Sequence, residues 1–172
     1  TCFGLSNGSA TISATGGTGA YTYTWLPSGT ASPNILTNVA AGNYTVIVED
    51  AVANTNSLVV TIGEPSMLAA TTTVTNIACF GTATGIVNII ATGGIPPYQH
   101  SIAGGSYQSS SMFTNQPPGV QIISVKDGNN CTTTQTVVVT QAPQINIATT
   151  QTNVSCNGAC NGVLNISATG GN

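Results

Sequence analysis

The cysteines are the residues whose spacing points most directly to chemistry. The chain contains five of them, at Cys2, Cys79, Cys131, Cys156 and Cys160. Because the number is odd, at least one thiol has no disulfide partner within this sequence. A zinc site is the alternative, but the spacings do not form paired Cys-x-x-Cys motifs, and the single histidine, His100, lies far from them. The cysteines therefore favour disulfide chemistry over metal binding.

Acid–base side chains are few. Only 3% of the 172 residues are charged, namely Glu49, Asp50, Glu64, Asp127 and Lys126. No second base lies near His100, so paired-acid or triad chemistry lacks its parts. The residue 77 positions before His100 is Tyr23, which indicates that His100 occupies a structural position where the first copy has an aromatic ring. We predict no catalytic residue, no cofactor and no enzyme activity.

Asp50 and Asp127 stand at the same interval of 77, and each ends a predicted strand before a turn. This position suits a carboxylate that accepts hydrogen bonds from the backbone N–H groups of the turn. Calcium is the alternative, because Glu49 and Asp50 offer two of the six to eight oxygens that it needs. In the second copy, however, Lys126 stands at the position of Glu49. We therefore predict no metal site.

Charge also limits the partners. With a net charge of -3 and Lys126 as the single cation, the chain cannot neutralise a phosphate backbone, so nucleic acid is excluded. No apolar run approaches the roughly 20 residues that a membrane-spanning helix needs, and no membrane insertion is expected. At 41% hydrophobic residues, the chain has enough apolar side chains to fold.

The elements that position these residues repeat along the chain. Thr-Gly-Gly triplets begin at Thr15, Thr92 and Thr169, again at intervals of 77. The residues before each triplet alternate apolar with polar, which predicts a strand with one apolar face. The apolar positions are Ala10, Ile12 and Ala14, then Val87, Ile89 and Ala91, then Leu164, Ile166 and Ala168.

The chain has no helical period, and its β-branched runs predict an all-β array of small sandwich domains. Further strands are predicted at 44–48, 58–62, 121–125 and 136–140. Pro65 and Pro143 each follow a Val-rich strand, and a proline cannot donate to a strand ladder, so both are natural joints. The predicted domains are 1–65, lacking its first strand, then 66–143, complete, and 144–172, the first two strands of a third copy.

The order of motifs resembles the SprB repeat of giant surface adhesins of gliding and related Bacteroidetes. The first copy carries it as Cys2-Phe-Gly4, Thr15-Gly-Gly-Thr18, Tyr21-Thr-Tyr-Thr-Trp25, Ala41-Gly-Asn-Tyr-Thr-Val46 and Glu64-Pro65. The second carries Cys79-Phe-Gly81, Pro97-Tyr98 and Lys126-Asp-Gly-Asn-Asn-Cys131. The resemblance implies tandem immunoglobulin-like β-sandwich domains in long secreted arrays, displayed as cell-surface filaments and exported by the type IX secretion system.

The same resemblance implies a disulfide. The family usually pairs the cysteine that opens a repeat with one that follows the Asp-x-x-Gly turn, which gives Cys79 and Cys131 here. Cys2 then has no partner within its own copy, because Asn54 occupies the position 77 before Cys131. Cys156 and Cys160 either bond to each other, or one of them awaits a partner beyond this sequence.

We therefore predict a structural repeat segment of an extracellular filament or filamentous adhesin that acts through extension, self-association and multivalent attachment, with surface polysaccharide as a second candidate partner. Gliding motility is an associated expectation. With almost no charge to protect sheet edges, strand donation between neighbours is a hypothesis, centred on residues 144–152. The alternative is a carbohydrate-binding module that stacks sugars on Tyr21, Tyr23 and Trp25, which alternate onto one strand face, although such a face is more often part of the core.

Overall fold

The computed structural model describes residues 1–27, 30–32 and 34–172 of the chain. Within them every regular element is a strand. The strands are β1 Gly8–Thr11, β2 Thr22–Leu26, β3 Thr30–Ser32, β4 Ile35–Val39, β5 Gly42–Glu49, β6 Thr55–Ile62, β7 Ala69–Thr75, β8 Gly85–Thr92, β9 Gln99–Ile102, β10 Met112–Gln116, β11 Gly119–Lys126, β12 Thr132–Val139, β13 Asn146–Thr152 and β14 Val163–Thr169. The predicted all-β class is confirmed.

The first copy folds as two antiparallel sheets around one core. One sheet pairs β1 with β4, and the other has the order β3-β2-β5-β6. Trp25, Leu36 and Val46 are the buried centre, contributed by β2, β4 and β5, so both sheets supply the core. Ala10 and Ile12 pack against this centre, as their alternation with polar residues predicts. Because successive side chains of a strand point to opposite faces, every second residue of this segment faces the interior of the sandwich.

The second copy is a more complete version of the same arrangement. Its sheets have the orders β10-β8-β7 and β12-β11-β9. In immunoglobulin notation, β7 to β12 are strands A, B, C, E, F and G, and the A-B-E and C-F-G sheets are those of the constant-type fold. The fully buried aliphatic side chains alternate along β8 and β11, at Val87, Ile89, Ile123 and Val125. The predicted immunoglobulin-like β-sandwich is confirmed by this strand order.

The first copy differs in two strands: β3 pairs with β2, and no described strand corresponds to β7. Its β1 and β4 correspond to strands B and E, while β2, β5 and β6 correspond to C, F and G. In the second copy, β7 pairs with one edge of β8. The equivalent edge of β1 has no partner among the described strands. The sheet edge beside β1 is therefore open in this structure.

The third copy consists of β13 and β14. They pair antiparallel along their whole length, from Asn146 opposite Thr169 to Thr152 opposite Val163. Every residue of both strands is exposed. The apolar face that the sequence predicts here, including Leu164 and Ile166, is therefore exposed.

The chain divides into two compact units. One comprises Thr1–Ala69, Thr92–Pro97 and Asp127–Cys131, and the other Ala70–Ala91, Tyr98–Lys126 and Thr132–Asn172. Among the described strands, every ladder lies within 1–65, 66–143 or 144–172, but the compact units do not follow those limits, so the three domain boundaries stay a prediction. No helix in the described part of the chain is long and apolar enough to cross a membrane.

Candidate functional site

The Asp50 loop follows β5 and is organised by one carboxylate. Oδ1 of Asp50 accepts hydrogen bonds from the backbone N–H groups of Val52 at 3.0 Å and Asn54 at 2.9 Å. Oδ2 accepts from the backbone N–H of Thr18 at 3.0 Å and the side-chain amide of Asn54 at 3.1 Å. The donors on Asn54 are the main reason that the pKa of Asp50 lies below its usual value, because they stabilise the ionised form.

The Asp127 loop repeats this arrangement. Oδ1 accepts from the backbone N–H groups of Asn129 at 2.9 Å and Cys131 at 2.8 Å, and Oδ2 accepts from Ile95 at 2.9 Å. Burial raises the pKa of Asp127, but the three N–H donors outweigh it and the pKa lies below the usual value. The predicted role of both aspartates as turn caps is confirmed by these contacts.

These contacts also bear on the calcium alternative. Both oxygens of Asp50 face N–H donors rather than an open coordination position. In the described part of the chain, no three His, Cys, Asp or Glu side chains come together as a metal-binding group. The carboxylates are therefore engaged in holding loop backbone.

The disulfide departs from the prediction. Cys131 is bonded to Cys2, which lies 129 positions earlier in the sequence, and their Cα atoms are 5.6 Å apart. Cys79 is an exposed free thiol. The predicted Cys79–Cys131 pair is therefore wrong. The reason is local packing: the side-chain amide of Asn129 donates to the carbonyl of Thr1 at 2.8 Å, which brings the residue next to Cys2 to the Asp127 loop.

Cys156 and Cys160 are also free thiols and exposed, so the predicted alternative in which they bond to each other is not formed. A turn in which the backbone N–H of Ala159 donates to the carbonyl of Cys156 at 3.1 Å lies between them. Together with Cys79, these cysteines remain available for reaction.

The aromatic residues are not arranged as a sugar-stacking surface. Trp25 has 0% exposure and lies in the centre of the core, and Tyr23 packs against that core. Since a fully buried indole cannot stack on a sugar, the alternative reading of Tyr21, Tyr23 and Trp25 as a platform is wrong, and the core reading holds for Trp25 and Tyr23. The hydroxyl of Tyr21 donates instead to the carbonyl of Gly16, which fixes the Gly-Gly turn after β1.

His100 lies on β9, where its side chain is buried. Its backbone N–H donates to the carbonyl of Gln108 at 2.8 Å, and its carbonyl accepts from the N–H of Gln108 at 2.9 Å. The imidazole thus takes the interior position that the sequence assigns to an aromatic ring.

A cleft opens beside the Gly16-Gly17 turn, and we call it the Gly16 cleft. Its volume is about 380 Å³, and its wall includes Ile12, Ala14, Gly16, Tyr21, Asp50 and Leu58. The wall is formed by the segment after β1, the end of β5 and the start of β6. The sequence marks Gly16 only as turn punctuation, although the recurrence of Thr-Gly-Gly in every copy is a signal that invites comparison of these turns.

The fold and these loops define an immunoglobulin-like repeat domain. The family model of the SprB repeat matches residues 1–30 and 71–106, which are equivalent parts of the first two copies. The resemblance to the SprB repeat that the motifs indicate is confirmed by this match. No curated protein matches its sequence.

One similar solved structure is the C-terminal 282-residue fragment of intimin in complex with the intimin-binding domain of the translocated intimin receptor. The sequences are 20% identical, the match covers 75% of this chain and 53% of the fragment, and the TM-score is 0.37. The chain thus spans about half the length of that fragment. The immunoglobulin-like assignment rests on the strand order of the chain itself.

Proposed function

We propose that this chain is a structural segment of an extracellular filament or filamentous cell-surface adhesin. The observation that carries the proposal is the tandem repetition of an immunoglobulin-like sandwich whose first two copies both match the SprB repeat. Repetition of one module extends a chain and multiplies weak contacts, so function resides in length and valency. Export by the type IX secretion system and participation in gliding are the finer parts of this proposal.

The loops support a structural role. Asp50 and Asp127 are held by backbone and side-chain N–H donors within their own loops, and the Cys2–Cys131 disulfide closes the Asp127 loop onto the start of the chain. Such devices fix a fold against unfolding and proteolysis, which an extracellular position demands. We propose no catalytic activity and no cofactor. The partners are further copies of the repeat and a surface, for which polysaccharide is the candidate.

The test is to label intact cells that produce the chain with antibodies raised against it, and to view them by electron microscopy. Filaments that carry the label along their length are the expected result. Label confined to the cell interior would overturn the extracellular assignment. Boiling the native material in detergent and reductant then gives its covalent mass, and a value far above 17.2 kDa identifies one giant tandem-repeat chain.

Multivalent attachment has a separate test. Beads carrying increasing densities of the chain are placed on the producing cells' natural surface, and the force or shear needed to detach them is measured. Adhesion that rises more steeply than the chain density is expected, because linked weak contacts act at high effective concentration. Detachment that stays at the level of uncoated beads at every density would reject the adhesin part of the proposal.

A further inference from the structure

The outward side of the C-F-G sheet in the first copy carries a row of exposed apolar side chains, and we call it the first outer face. Leu26 on β2 and Val59 on β6 both pair with Thr45 on β5, so the three residues share one face of the sheet. This face is turned away from the core that Trp25 and Val46 occupy. Leu26 and Val59 are 42% and 60% exposed, and Thr45 is half-buried between them. The row therefore has large side chains on both flanks and a small one in the middle.

The second copy has the reverse arrangement on the outward side of β9, β11 and β12, which we call the second outer face. Ile122 on β11 stands 77 positions after Thr45 and is 57% exposed. Its neighbours are small. Thr136 pairs with it on β12, and the backbone N–H of Ala103 donates to its carbonyl at 2.8 Å. A large side chain therefore stands in the second outer face where the first outer face has a small one.

Each outer face also carries one charge, and the two charges are opposite. Glu49 and Lys126 lie four residues after Thr45 and Ile122, so strand alternation places each of them on its outer face. The described strands of the two faces contain no other Asp, Glu, Lys or Arg. Glu49 is exposed, and the ammonium group of Lys126 lies 4.9 Å from the centre of the Tyr107 ring, which orients it. The two faces are thus complementary in shape and in charge over the same interval.

We propose that the first outer face of one chain binds the second outer face of a second copy of this chain. With the sheets packed face to face and their strands aligned, Ile122 enters the space between Leu26 and Val59. The same alignment brings Glu49 opposite Lys126. Binding between two identical faces is disfavoured, because it brings like charges together. This inference deepens the proposed function by naming the partner and the surface of self-association, and it rests on that proposal for its biological role.

The second outer face has further apolar surface for this contact. Val120 pairs with Val138, and the two side chains are 68% and 54% exposed beside Ile122. Adjacent exposed apolar side chains on a folded sheet mark an interaction surface. Because each chain carries both faces, a pair joined by one such contact still has one face of each kind free for a further copy.

The first experiment measures self-association of the full chain by sedimentation equilibrium at low salt, where exposed charges are least screened. Glu49→Lys makes both outer faces positive, and Lys126→Glu makes both negative. We expect each variant alone to associate at least about tenfold more weakly than the unaltered chain. Mixing the two variants in equal amounts should restore the affinity to within about threefold, because each supplies the charge that the other lacks.

Glu64→Lys is the matched control for charge. It makes the same change of charge as Glu49→Lys, but the carboxylate of Glu64 contacts the backbone N–H of Gly4 and lies outside both outer faces. We expect it to change the association constant less than about twofold.

A second pair of variants tests the apolar contact. Ile122→Thr should weaken association at least about fivefold, because it removes apolar surface that the contact buries. Ile90→Thr is its matched control, since Ile90 is 46% exposed on β8 in the other sheet of the same copy. It should change association less than about twofold. Both substitutions keep a β-branched residue at an exposed strand position, so the fold is retained.

The outcomes separate the parts of the inference. A chain that stays monomeric at every concentration overturns binding between copies. Two folded charge variants whose mixture associates no better than either alone overturn the pairing of Glu49 with Lys126. If a charge variant fails to fold by circular dichroism, the substitutions at Ile122 and Ile90 decide, and equal weakening by both rejects the surface. Labelled filaments on cells together with a monomeric chain would reject this contact and leave the proposed function standing.

Discussion

The Gly-Gly turns of the first two copies have almost the same backbone and opposite surroundings. Gly93 lies against the carbonyl of Met67 and Gly94 against Leu68, whereas no described atom lies within 4 Å of a Cβ added at Gly16. The difference cannot come from the turns themselves, because their sequences and φ values agree. It comes from residues 66–68, which lie on the turn at Gly93 and Gly94.

A second difference concerns the loops after β5 and β11. Asn54 and Cys131 occupy equivalent positions, and both donate a backbone N–H to the capping aspartate. Asn54 adds a side-chain hydrogen bond to Asp50, whereas Cys131 forms the disulfide with Cys2. The same loop is thus closed by a local amide in the first copy and by a distant covalent bond in the second. The equivalent positions Asn54 and Cys131 therefore hold the loop through a side-chain hydrogen bond in one copy and a disulfide in the other.

The largest expected change in stability follows from removal of the Cys2–Cys131 disulfide. Cys2→Ser should lower the free energy of unfolding by about 2–4 kcal/mol, because a bond that closes a long loop restricts the unfolded chain. Denaturant unfolding under non-reducing conditions measures the change. Cys79→Ser, which alters the equivalent cysteine of the second copy, is the control and should leave stability nearly unchanged. Peptide mapping that recovers Cys79 bonded to Cys131 would contradict the assignment.

The next prediction tests whether the carbonyl of Met67 lies against the turn at Gly93. Ala at a left-handed position costs about 1–2 kcal/mol, so Gly16→Ala should destabilise by that amount. Gly93→Ala should cost more, because its Cβ must also displace the carbonyl of Met67. Thermal unfolding of the two variants gives the difference directly. Equal losses would show that the turn at Gly93 is not covered in solution.

Acid should weaken both aspartate loops. The pKa of each carboxyl in the folded chain lies below its usual value of 3.8, so ionisation stabilises the fold above that pH, and this stabilisation is lost as the pH falls through the lowered pKa values. We expect the melting temperature to fall as the pH drops below about 4. Asp50→Asn and Asp127→Asn should each be less stable at pH 7 and lose less on acidification. An unchanged acid response in both variants would remove these loops as its cause.

The smallest effect concerns a repeated contact in which charge is dispensable. The backbone N–H of Gly4 donates to Glu64 at 2.6 Å, and that of Gly81 donates to Gln141 at 3.0 Å. Because the second copy makes the contact with an amide, Glu64→Gln should change the free energy of unfolding by less than about 0.5 kcal/mol. Chemical denaturation measures it. A loss several times larger would mean that the carboxylate does more than accept this hydrogen bond.

Much of the fold was predictable because its signals are local and repeated. Alternation along Ala10, Ile12 and Ala14 assigns an apolar face, and the same pattern in the next copy removes the ambiguity of a short segment. The turn role of Asp50 was predictable for the same reason, since an aspartate bonds to N–H groups a few residues ahead. These features need only the pleat of a strand and the geometry of a turn.

The disulfide partner, the burial of Trp25 and the cover of the turn at Gly93 were decided by tertiary structure. The repeat period says which cysteines are equivalent, but it does not say whether Cys131 meets the opening cysteine of its own copy or of the one before. Likewise, three aromatic residues on one strand face specify a face, and only the second sheet determines that this face is the core. The sequence alone determined the strands with clear apolar alternation or β-branched runs, the repeat and the capped turns through short-range physics. Partners distant in sequence depended on which surfaces the folded sheets brought together.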